Sequence, residues 1–125
     1  MEGSADAVIA TETCVLAVSS VYDIEHNDFL ESAIWAISFE GDILETHRMD
    51  ERPWTLQTFN GGAIAGLGRP RNGYITLDDF GHILEQNMNW EYPTICATNL
   101  NEPVFGLADG SVRSMSGDVM RTCLL

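Results

Sequence analysis

The stretch GYITLDDFGHILEQN (73–87) decides the fold. Tyr74 opens a short apolar run, Asp78-Asp79-Phe80-Gly81 makes a turn, and Ile83-Leu84 begin a return run. That is the signature of an antiparallel hairpin. The same arrangement appears in AIWAISFEGDILETH (33–47) and PVFGLADGSVRSMS (103–116). Trp35, Tyr74 and Phe105 align as the leading aromatics, and Gly41, Gly81 and Gly110 as the turn glycines. Ile43-Leu44 follows the first turn and Ile83-Leu84 the second, while Val112 alone follows the third. Ahead of each hairpin stands an apolar run of small residues: CVLAVSS (14–20), GAIAGLG (62–68) and TICATNL (94–100). Self-similarity at a period of roughly 30 to 48 residues in β-type sequence predicts stacked sheet units, each too small to bury a face alone.

The chain reads as a single domain: a leading arm over 1–13, then units over about 14–54, 55–92 and 93–125. Within the arm, Ala7–Ala10 is strand-like. In each unit the small-residue run is expected as the first strand, because Ala, Gly and Ser suit a crowded position. The segments either side of the turn glycine supply the second and third strands. Trp54–Phe59 and Val119–Leu124 are expected as fourth strands, whereas Trp90–Tyr92 is too short for one. Only Asn27–Trp35 offers a breaker-free stretch for a helical turn or two, and Gly and Pro oppose helix elsewhere. The fold class is therefore all-β. Unit one differs in its connection, VYDIEHNDFLES (21–32), which carries four acids and no base. A long charged insertion in a repeat array commonly marks the binding face.

This aromatic–turn–glycine–apolar pattern resembles β-propeller blades of the loose sialidase-type or WD40-like class, over residues 14–118. The resemblance implies four-stranded antiparallel sheets with a small-residue inner strand. A tryptophan after the third strand, Trp54 and Trp90, fits in two units. The full Asp-box and the terminal Trp-Asp pair are missing, so the likeness speaks to architecture and not to activity. Three blades do not close a ring. Association of two copies into six or three into nine, completion by a partner, or closure as a small barrel or sandwich are the alternatives. Each manages the liability of open sheet edges.

Charge is the second guide. The chain of 125 residues has 19 acids, six arginines and no lysine, a net charge of −13. Residues 1–51 carry −11 of it and residues 52–125 only −2. Such a field repels nucleic-acid backbones and anionic membranes and attracts basic proteins. No apolar run approaches the roughly 18–20 residues of a membrane-spanning helix. The first residues lack the features of a secretory signal. Cys14, Cys96 and Cys123 form no CxxC pair, and the odd number predicts reduced structural thiols in the cytoplasm.

No catalytic pattern stands out against this background. His26, His47 and His82 have no metal-ligand spacing, so neither metal nor cofactor is expected. GGAIAGLG (61–68) lacks the strand–turn–helix context of a dinucleotide site. Arg69 and Arg71 in GRPRNG are solvated loop residues first and an anion contact second. With Asp78 and Asp79 they would define the rival reading, a carbohydrate-active enzyme. The leading expectation is a non-enzymatic inhibitor or immunity-type module that binds a basic partner such as a nuclease toxin. Its expected contact surface is residues 23–31, with the acids Asp23, Glu25, Asp28 and Glu31, plus Glu40, Asp42, Glu45, Asp50 and Glu51, with Trp35 or Trp54 as anchors. A homo-oligomer joined through open sheet edges is the third reading.

Overall fold

The computed structural model describes residues 3–26, 28–99 and 102–123, without the side chains of 28–30 and 99. Among the described residues twelve strands form three separate four-stranded antiparallel sheets, each a simple meander. The first holds β1 (Ser4–Ala10), β2 (Val15–Asp23), β3 (Asp28–Ile37) and β4 (Ile43–Met49). The second holds β5 (Arg52–Phe59), β6 (Gly62–Gly68), β7 (Asn72–Leu77) and β8 (Ile83–Trp90). The third holds β9 (Thr94–Asn99), β10 (Glu102–Leu107), β11 (Ser111–Ser114) and β12 (Val119–Thr122). Described residues include no helix, so the all-β expectation stands, and no sheet closes into a barrel.

The sheets stack by their faces. Alternation along each strand sends one set of side chains to each face. From the first sheet, Leu16, Val18, Ile34 and Ala36 meet Leu56, Ala63, Ala65, Leu67, Ile75 and Leu77 of the second in one buried cluster. From the opposite face of the second sheet, Ile64 and Tyr74 meet Cys96, Phe105 and Leu107 of the third. Tyr74 stacks on Phe105 with centroids 5.0 Å apart, and Trp90 meets Phe105 edge-on at 4.9 Å. Burial and the neighbouring Glu85 carboxylate push the Tyr74 phenol above its ordinary pKa. β5 lies against β1, β2 and β3, and β9 lies against β5, β6 and β7. The second and third sheets thus enter the stack by their first strands.

Hydrogen bonds give the phase of the repeat. In the first sheet the Ser38 N–H donates to Asp42 O (2.8 Å) and the Gly41 N–H to Ser38 O (2.9 Å). In the second, Asp78 N–H donates to His82 O (2.9 Å) and Gly81 N–H to Asp78 O (3.1 Å). In the third, Ser114 N–H donates to Asp118 O (3.0 Å) and Gly117 N–H to Ser114 O (2.9 Å). The turns are one structure, and their glycines share φ values of 97°, 87° and 92°, a left-handed region costly for side chains. The third partner of Gly41 and Gly81 is therefore Gly117. Gly110 turns the chain one hairpin earlier, between β10 and β11.

Several expectations change with that phase. Counting back from the turn glycine, Trp35 aligns with Ile75 and Ser111, so Trp35, Tyr74 and Phe105 are not equivalent. CVLAVSS and GAIAGLG fall on the second strands β2 and β6, whereas TICATNL falls on the first strand β9. Trp54–Phe59 belongs to β5, which opens the second sheet instead of completing the first. Trp90 ends β8, the fourth strand of its sheet, and β12 is the fourth strand of the third. The arm contributes β1, paired with β2 from Ser4↔Ser20 to Ala10↔Val15. The expected helix is replaced by strand from Asp28 onward, because Ile34, Trp35 and Ala36 alternate between two buried faces; Asn27 lies outside the described residues. Among the described residues no helix is long and apolar enough to cross a membrane.

Candidate functional site

The acidic connection of unit one is not a loop. β1 pairs with β2 only as far as Ser20, and β4 with β3 only as far as Ser32. Beyond those limits β2 and β3 continue alone, through Val21↔Glu31, Tyr22↔Phe29 and Asp23↔Asp28, as a two-stranded ribbon. At its tip the Asp23 carboxylate accepts the Glu25 N–H (3.0 Å) and contacts His26 Nδ1. The His26 ring foremost, with the backbone N–H groups of Glu25 and His26, holds the Asp23 carboxyl below its ordinary pKa against the opposing effect of burial. Glu25 is exposed, and Ile24 is 84% exposed despite its apolar side chain. Tyr22 is also an exposed ribbon residue. Among the described residues Ile24 is the most exposed large apolar side chain.

The ribbon's base is partly neutralised. Arg48 Nη1 lies 3.2 Å from Glu31 Oε1, both exposed, and the guanidinium stands 5.9 Å from the Trp35 ring centre. Asp50 is exposed just beyond β4. Glu51 departs from expectation: it is buried, and its carboxylate is held by Arg71 through Nη2 (3.1 Å) and Nε (3.4 Å). A buried carboxylate needs such a partner, and the fork geometry of arginine supplies it. The Glu51 carboxylate, foremost, holds the Arg71 guanidinium above its ordinary pKa. Arg71 thus grips an internal anion. Arg69 is exposed in the adjoining turn, its N–H donating to Asn72 Oδ1 (3.0 Å).

Glu40, Asp42 and Glu45 lie elsewhere. Glu40 and Asp42 are exposed in the β3–β4 turn, at the far end of a ten-residue strand. At about 3.3 Å per residue that is roughly 30 Å from the ribbon. There the Asp78–His82 turn is clamped to the first sheet: Thr13 Oγ1 donates to Asp79 (2.7 Å), and His47 Nε2 donates to Gly81 O (2.6 Å). His82 lies 3.8 Å from Glu45. The single acidic surface expected from sequence is therefore two surfaces, one at each end of the first sheet. Asp28 places its backbone in the ribbon, and its side chain lies outside the described residues.

Trp35 is buried and donates its indole N–H to Ser19 Oγ (2.8 Å), so it is a core residue and no contact anchor. Trp54 is exposed beneath the Arg52 guanidinium, 4.3 Å from the ring centre. It borders an apolar cleft of about 340 Å³ on the third sheet, lined also by Ile95, Gly106, Ala108 and Val112. A larger cleft, about 560 Å³, runs between the first two sheets beside Arg48, Glu51 and Arg71. Both arginines there face carboxylates already.

The rival enzymatic set is not assembled. Arg69 and Arg71 stand before β7, while Asp78 and Asp79 stand after it. The six residues of that strand separate them by roughly 20 Å. No group of three His, Cys, Asp or Glu side chains that could hold a metal occurs among the described residues. Cys14 and Cys96 are buried, and burial pushes the Cys96 thiol above its ordinary pKa; Cys123 is exposed, so the structural role expected of all three fits two. Tyr22 is what the sequence reading missed, and Ile24 lay within the expected stretch 23–31 without being singled out. The alternation VYDIE, apolar and acidic in turn, was the available signal for a strand carrying them. Comparison with protein-family models, curated proteins and solved structures finds no match to this chain.

Proposed function

We propose that this chain is a non-enzymatic binding module of propeller-type sheets, which takes a basic protein through the acidic ribbon of its first sheet. The observation that carries this reading is the ribbon itself. Two strands leave their sheet to present Ile24 between Asp23 and Glu25, with Tyr22 alongside. An apolar anchor ringed by like charges suits a cationic protein surface, where carboxylates steer the encounter and the anchor slows departure. The net charge of −11 on residues 1–51 supplies the long-range attraction. An inhibitor or immunity-type protein acting on a nucleic-acid-cleaving toxin is the class of partnership that fits, since such toxins present basic surfaces. Three free thiols suit a cytoplasmic setting.

Affinity capture from the native host at low and moderate salt, followed by association kinetics with the captured partner, tests the reading. The variant Asp23→Asn/Glu25→Gln/Asp28→Asn/Glu31→Gln is expected to associate about ten- to a hundredfold more slowly and with a flatter salt dependence. Ile24→Ala is expected to act chiefly on dissociation. Association unchanged by the four neutralisations, or a partner without basic character, contradicts it.

A further inference from the structure

The two ends of the stack are not alike, and they are complementary. Strand pairings place Ile9, Gln57 and Ile95 opposite Leu16, Ile64 and Gly106 respectively. One step along, Val8, Leu56 and Thr94 take the same position in the first strands of the three sheets. Leu56 is 5% exposed because it is buried against the first sheet, and Thr94 is 0% exposed against the second. Val8 has no preceding sheet and is 66% exposed. At the other end, the face of the second sheet that receives β9 carries Ile64, which is fully buried. The matching face of the third sheet is the apolar cleft at Ile95, Gly106 and Val112, where Ile95 is 53% exposed.

We infer that a second copy of this chain docks head to tail, laying its β1 with Val8 on the Ile95–Val112 face of the third sheet. This repeats outside the chain the contact made twice within it, β5 on the first sheet and β9 on the second. The interface is heterologous, so one rotation generates the next contact, and the assembly is finite only if the ring closes. Two copies make six sheets, within the four to eight typical of closed radial arrays, whereas three copies make nine. The second copy covers both the exposed valine and the cleft. Docking is through sheet faces, so no edge strand needs to pair between copies. It does not depend on the proposed basic partner, because Val8 pairs with Ala17 in the body of the first sheet, whereas the ribbon begins beyond Ser20.

Sedimentation velocity combined with circular dichroism tests the inference. The unaltered chain is expected at twice its 13.8 kDa. Val8→Asp and Ile95→Arg should each weaken self-association at least about tenfold, since each buries a charge, while the β spectrum is retained. Mixing the two variants should restore the dimer: one interface is then unaltered, and the other joins the new arginine to the new aspartate. A chain that sediments at 13.8 kDa, an oligomer indifferent to Val8→Asp, or two variants that fail to complement each overturn it.

Discussion

Gly66 shows how little room the stack leaves. A Cβ built there would lie 2.6 Å from the Thr94 carbonyl oxygen and 3.1 Å from the Ile95 Cα, so β9 crosses directly over it. Backbone cannot move aside as a flexible side chain can. Gly66→Ala is therefore expected to destabilise the fold by about 1–3 kcal/mol, read as a lower urea midpoint. An unchanged midpoint would mean that β9 does not cross there. The small residues of GAIAGLG were legible in sequence as a crowded strand, and the crowding is real: every residue from Gly62 to Gly68 is buried. What sequence left hidden was which side chains are spent internally. Glu51 reads like any surface acid until the fold buries it against Arg71, and Trp35 like an anchor until Ser19 takes its indole N–H.

The recurring turns carry the clearest local chemistry. In the second sheet the Asp78 carboxylate accepts the N–H groups of Phe80 and His82, both at 2.9 Å. Partial burial works to raise the Asp78 pKa, but these donors and the His82 ring outweigh it and hold it below the ordinary 3.8. A carboxyl with a depressed folded pKa stabilises above its unfolded value and loses that contribution as pH falls through the folded one. Asp78→Asn should accordingly cost about 1 kcal/mol at neutral pH, with the gap to the parent closing below about pH 4, checked by urea unfolding at pH 7 and pH 3. A gap that persists at low pH would remove the carboxylate from the turn's account. Hairpins at Gly41 and Gly81 could be read from sequence. The third could not be phased, because Asp109-Gly110 is the stronger turn dipeptide and Ser114-Met115-Ser116-Gly117 hides the true counterpart.

Taken together, the three sheets form a stack with two open end faces beside the free edges of its outermost strands. Edge pairing was the expectation from an unclosed array; among the described residues β1, β4, β5, β8, β9 and β12 leave such edges, and an apolar cleft lies in addition on the third sheet's outer face. The first sheet bears the acid-rich ends, and the apolar cleft lies at the opposite end of the stack. The −11 of residues 1–51 was plain in sequence, but its division between two ends of one sheet was not, since it follows from strand lengths and register. The in-phase entry of each sheet over the one before is tested most directly by nuclear Overhauser contacts from the Gly66 α-protons. A cross-peak to the Ile95 α-proton is predicted, because β9 passes over Gly66 as part of the third sheet. Gly66 α-protons that see only β5, β6 and β7 would contradict the stacking.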